Sequence, residues 1–93
     1  MKFEWDEKKN QINRQKHGIS FEEAETVFYD DEALLKYDDE DSEDEDRFVL
    51  LGMSKLEKIL IVCHCYRAGD QVKRIISARR ATNRERIQYE EQQ

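Results

Sequence analysis

The hydrophobic rhythm of this chain begins with residues 2–5 (KFEW), which alternate polar and apolar, the period-two signature of a short strand. Asp6 then stands where a carboxylate can cap a helix running to about Lys16, with Gly18 supplying a left-handed stop. Between Glu7 and His17 only Ile12 is apolar. This helix therefore has little to bury, and reads as a solvated face or as a helix kept for what its side chains touch. Ser20 opens a second helix through a capping box with Glu23, and Phe21, Ala24, Val27 and Phe28 fall on one face as core. That helix ends near Tyr29, and Ala33, Leu34 and Leu35 follow as a short buried segment of extended form.

From Arg47 the period becomes that of strands. Residues 47–54, 58–67 and 71–79 are rich in Val, Ile, Leu and Tyr, and the connections between them are short enough for hairpins, which predicts a three-stranded antiparallel meander. Thr82 opens a closing helix with a second capping box, to Glu85. The order strand, helix, helix, three strands, helix is that of a single α+β domain over residues 1–93, without repeats and without proline.

Composition narrows the class. Apolar residues make up 38% and charged residues 41%, so the core is thin and the surface highly charged. No run approaches the roughly 18 apolar residues that span a bilayer. The opening MKFEWDEKK reads as no signal peptide, and two cysteines make no disulfide framework, so a cytoplasmic protein is expected. The net charge of −6 is unevenly spread: residues 1–19 carry +2, residues 20–46 carry −13 and residues 47–93 carry +5. The acidity belongs to one block, and because fields decay over about 8 Å at physiological salt, a basic face persists beside it. Within that block, residues 38–46 (DDEDSEDED) repel one another and read as a solvated loop. Their spacing lacks the glycine and closing glutamate of a calcium-binding loop; docking to a basic partner is the other use for such a run.

Three groups invite chemistry. Cys63-His64-Cys65 suggests zinc, but in a strand the cysteines share one face, His64 takes the other, and further ligands at suitable spacing are missing. Alternation along the last two strands places His64, Tyr66, Ser77 and Arg79 as a polar group on a face that the helices leave open, or as amphipathic surface positions. His17, beside Lys16, stands where a C-terminal cation satisfies helix carbonyls, yet it also suits a proton-transfer role. A ribonuclease that works without metal needs a base for the 2′-hydroxyl, an acid for the leaving 5′-oxygen, and cations for the charged phosphorane. Arginine supplies the last, gripping phosphate oxygens through two parallel bonds.

The segments WDEKKNQINRQKHGISFEEAETVFYDD, DRFVLLGMS and RIISARRATNRERIQYEE together resemble the BrnT family, the toxin halves of bacterial type II toxin–antitoxin pairs, over residues 3 to about 91. The resemblance implies a RelE-like ribonuclease fold, translation arrest by RNA cleavage, no cofactor, and a BrnA-type antitoxin that carries the DNA-binding domain through which the pair represses its operon. The polar family positions fall on Trp5, Asp6, Lys9, Asn13, Lys16 and His17, and on Arg67, Arg74, Ser77, Arg79, Glu85, Arg86 and Tyr89. Asp6, Ser20, Thr82 and Glu85 are accounted for by capping, and Trp5 by the core. Lys55-Leu56-Glu57-Lys58 departs from the family, which often has a glycine-arginine pair between the first two meander strands. On this basis His17 is the expected acid or base, with Arg67, Arg74 and Arg79 on the phosphate. Lys9, Lys16, His64, Tyr66 and Arg84 are expected RNA contacts, Arg79, Arg84 and Arg86 expected antitoxin contacts, and no metal site is expected. A protein-interaction or co-repressor module that has lost cleavage is the alternative from another class, favoured by the scarcity of histidines and the −13 block. A structural RNA-binding protein without a partner is a third.

Overall fold

In a computed structural model, which describes residues 1–92, three helices lie on a five-stranded mixed sheet. The strands are β1 (Lys2–Glu4), β2 (Leu34–Tyr37), β3 (Phe48–Met53), β4 (Ile59–Arg67) and β5 (Val72–Arg80). The helices are α1 (Glu7–His17), α2 (Phe21–Thr26), continued by a 3-10 turn over Val27–Tyr29, and α3 (Asn83–Glu91). The sheet order is β1-β5-β4-β3-β2. The predicted meander is its centre, extended by two edge strands: β1 runs parallel to β5, and β2 antiparallel to β3. No helix among the described residues is long and apolar enough to cross a membrane.

The extended segment expected at Ala33, Leu34 and Leu35 is found as β2, shifted to Leu34–Tyr37 and not buried. Leu35 is 53% exposed because β2 lies at the sheet edge, beyond the cover of the helices, and only Ala33 and Leu34 pack against core side chains. One face of the sheet carries the main core: Leu50, Leu60, Val62, Ile75 and Ala78 meet Ile19, Phe21, Ala24 and Val27. The other face carries a smaller cluster, Leu51 and Ile61 under Tyr89 of α3. Tyr89 also donates to the Asp30 carboxylate at 2.6 Å, tying α3 to the end of the 3-10 turn.

The caps form largely as read. Asp6 accepts from Lys8 N and Lys9 N, Gly18 closes α1 at φ 70°, and Thr82 and Glu85 complete a reciprocal capping box. Ser20 accepts from Glu23 N, but the Glu23 side chain does not return to Ser20. It turns inward to Ser54 Oγ at 2.7 Å and to Lys58 Nζ at 3.3 Å, spanning from α2 to the β3–β4 hairpin.

Helix α1 is docked more firmly than its apolar content suggests. Ile12 is 53% exposed, whereas Asn10 and Asn13 are buried. The Asn13 amide donates to Ile19 O and Ala78 O, both at 2.8 Å, and accepts from Ala78 N at 3.2 Å. Asn10 accepts from Phe21 N at 2.8 Å. The β1–β5 ladder ends at Arg74, and beyond it the Asn13 side chain takes the place of a peptide group on the open edge of β5. Both backbone groups of Ala78 are thereby satisfied in a buried setting, where leaving them unpaired is costly.

Candidate functional site

The mooring of Asn13 on Ala78 fixes where α1 ends. Four residues on, His17 reaches a pocket of about 200 Å³ that it lines together with Asp38, Asp41, Val49, Ile61, Cys63, Ser77, Ala78 and Arg79. The floor is two rungs of the sheet, Cys63 opposite Ser77 and Ile61 opposite Arg79. His17 and Ser77 are exposed, so the pocket offers an imidazole, a hydroxyl and a guanidinium to solvent. Its other rim is the acidic loop. Burial raises the Cys63 thiol above its ordinary value, and the Asp38 carboxylate adds to this.

Arg79 does not enter the pocket as a free cation. It grips Glu85 through two parallel bonds of 2.8 and 3.0 Å, and donates to Arg80 O at 3.2 Å. The Arg79 contact holds the Glu85 carboxyl down at about 2, and the guanidinium is raised in turn by its bond to Glu85. Glu85 is thus both the capping-box partner of Thr82 and the group that orients Arg79. Fixing an arginine by a carboxylate reduces the entropy lost when it meets a phosphate, at the cost of two of its donors.

The structure brings together His17, Ser77 and Arg79 and separates the other expected site residues. Arg74 pairs with Glu4 across the β1–β5 ladder at 2.7 Å, and Arg67 pairs with Glu45 of the acidic loop at 3.4 Å; neither lines the pocket. Lys16 is exposed in the last turn beside His17, while Lys9 is exposed about 12 Å farther up the helix. Arg84 and Arg86 are exposed on α3.

The grouping of His64 and Tyr66 with Ser77 and Arg79, and His64 as an RNA contact, are corrections. The expected open-face group of His64, Tyr66, Ser77 and Arg79 does not form, because β5 carries a bulge opposite Cys63 and His64. Cys63 pairs with Ser77 but His64 with Ile75, so Ile76 is an extra residue and the alternation inverts across it. Ile75 and Ala78 both face the main core, and Ser77 and Arg79 the opposite side. His64 is 0% exposed, packed between Phe28, Phe48 and Tyr66, and has no surface with which to touch RNA. Its Nδ1 lies 3.1 Å from Val62 O, a group that only accepts, so Nδ1 carries the hydrogen and Nε2 accepts from Tyr66 Oη at 3.3 Å. Burial pushes the ring down to about 4, which keeps it neutral. Tyr66 is half-buried on that same side, with Lys73 Nζ 5.4 Å above its ring.

Two features of the site escaped the sequence. Asp38 and Asp41 lie at the pocket, although their segment reads as a solvated run; its only structural signal was its position between two paired strands, which forces it to arch over that end of the sheet. Asn13 stands among the family positions that the resemblance marks, yet nothing along the chain shows that its side chain, with that of Asn10, docks α1 and so places His17. Cys63 and Cys65 are free thiols, and among the described residues no group of three or more His, Cys, Asp or Glu side chains is arranged to hold a metal ion.

A family model described as the ribonuclease toxin BrnT of type II toxin–antitoxin systems matches residues 5–85. The chain is similar to the crystal structure of the Brucella abortus ribonuclease toxin BrnT, with a TM-score of 0.66 and 28% identity, over 89% of this chain and 99% of that one. Among proteins with curated annotation, none matches.

Proposed function

The chain belongs to the BrnT family of ribonuclease toxins of type II toxin–antitoxin systems, and from that premise we propose that it is a metal-independent endoribonuclease whose working pocket is the one shared by His17, Ser77 and Arg79. The observation that carries this reading is the convergence of His17 from the end of α1 with Ser77 and Arg79 from β5 around about 200 Å³. Histidine near neutrality takes or gives a proton, and Asp38 or Asp41, which share the pocket, is available for the opposite transfer. Arg79, held by Glu85, turns its remaining donor capacity to the phosphorane oxygens, with Lys16 close by. The reaction is attack of a 2′-hydroxyl on the adjacent phosphorus with departure of the 5′-oxygen, leaving a 2′,3′-cyclic phosphate.

In the cell this activity arrests translation in the cytoplasm, on a RelE-like scaffold, until a BrnA-type antitoxin neutralises it and couples the pair to operator DNA. The test is incubation of the purified protein with RNA in excess chelator. Cleavage to cyclic-phosphate ends supports the reading; activity that vanishes in chelator and returns with a divalent ion overturns the metal-independent mechanism. One observation favours the non-catalytic co-repressor reading: Arg67, Arg74 and Arg79 are each already paired with a carboxylate. Growth arrest on expression alone separates the two.

A further inference from the structure

The arginines so far assigned to phosphate are all engaged, which makes an unassigned one conspicuous. Arg47 stands one residue before β3, and its backbone is tightly held: Ser42 Oγ accepts from Arg47 N, and Asp38 N donates to Arg47 O at 2.9 Å. Among the described residues no hydrogen bond or ion pair reaches the guanidinium, and Nε is buried without any partner. Buried polar groups are almost always satisfied, and one that is not costs stability.

The position gives that cost a use. Phe48 pairs with His64 on the core side, so Arg47 falls on the opposite face with Val49, whose rung is Val49–Cys63–Ser77. Its charge lowers the Cys63 and Cys65 thiols against the larger effect of burial. It lines a second pocket of about 450 Å³ with Glu40, Asp41, Glu43, Asp44 and Glu45, and Asp41 is common to that pocket and the His17 pocket. None of these carboxylates closes on it.

We propose that Arg47 is a phosphate-binding residue for the RNA substrate, gripping a backbone phosphate next to the one that His17 and Arg79 address. The inference rests on the ribonuclease reading and extends its binding site along the strand. An RNA phosphate offers acceptors to the terminal nitrogens of a guanidinium that no protein group among the described residues engages, in the planar two-bond geometry that arginine favours. The surrounding carboxylates oppose the anion, so the loop sets how tightly RNA is held there.

The experiment measures binding of a single-stranded RNA oligonucleotide, made uncleavable by 2′-O-methyl groups, across a salt series, beside cleavage of the unmodified oligonucleotide. Arg47→Met should weaken binding roughly 10-fold or more and reduce the salt slope by about 0.7, the loss of one contact to a single strand. Arg47→Lys should recover the slope and only part of the affinity. Thermal midpoints should stay level or rise in Arg47→Met, since an unsatisfied donor is removed. Glu43→Gln with Asp44→Asn should tighten binding. Unchanged affinity and slope in Arg47→Met overturns the inference while cleavage by the parent protein leaves the ribonuclease reading standing. A fall in midpoint that accounts for the lost binding also overturns it, by making Arg47 structural. A parent protein that neither binds nor cleaves RNA removes both.

Discussion

His17 and Arg79 meet at the pocket by different routes, and the difference predicts how their loss will look. His17 is exposed in the last turn of α1, so His17→Ala should lower cleavage by about 10²–10⁴, the usual worth of a proton-transfer group, with little change in the unfolding midpoint. Arg79→Ala should also relieve toxicity, but it strips Glu85 of its partner, and melting curves must accompany the assay. Equal toxicity of both variants and the parent at equal expression would remove these residues from the site. His64 gives a separate test, since burial holds its folded-state value at about 4, below the ordinary 6.5. The unfolded chain therefore binds more protons between those values, and stability is complete above pH 6.5 and lost as pH falls towards 4, by about 3 kcal/mol. Glu85 acts in a lower window, its contribution present above about 4.5 and lost as pH falls to about 2. Urea midpoints measured between pH 7 and 4 should fall in the parent, and the slope should flatten in His64→Leu.

Among the elements, α1 departs furthest from its sequence. A helix with one apolar side chain is usually solvated, yet Asn13 replaces hydrophobic burial by pairing with both backbone groups of Ala78. Asn13→Ala should cost about 3 kcal/mol, because it strands Ala78 N–H and two carbonyls in a buried setting. Since Asn13 also aims the turn carrying His17, cleavage should fall further than the unfolded fraction explains; denaturant titration beside kcat measures both. Much of the fold was legible because caps and periods are local: Asp6, Gly18, Thr82 and the three meander strands declare themselves within a few residues. The site was legible only in its members on single elements, such as His17 and Arg79. A bulge of one residue at Ile76 inverts which side chains share a face, and nothing in an alternating pattern marks it. The docking of Asn13 and the arch of Asp38 and Asp41 depend on which sheet edge is left open, which is a property of the assembled topology.

The molecule as a whole separates its charge, and that separation bears on how an antitoxin would bind. The −13 block includes the loop that already rims the His17 pocket, while α3 and the adjoining hairpin present Arg84 and Arg86 in solvent. Between the hairpin and α3 runs a groove of about 460 Å³ lined by Met53, Leu56, Ile59, Arg80 and Arg86 among others, and its Met53 and Leu56 are exposed apolar residues. Apolar surface with a basic rim suits an amphipathic acidic segment, whose carboxylates would pair with Arg84 and Arg86 and whose apolar face would cover Leu56. Arg79 is already bonded to Glu85 of α3, so an antitoxin acid that reached it would compete for the residue proposed to hold the RNA phosphate. Arg84→Ala with Arg86→Ala should weaken antitoxin binding, with slower association that converges on the parent rate as salt rises, because rim charges act chiefly on encounter. Replacing residues 39–45 by a neutral linker should leave antitoxin affinity unchanged. Titrating both variants against the antitoxin decides between the two surfaces: lost binding in the linker variant with full binding in the double alanine would move the interface to the acidic loop.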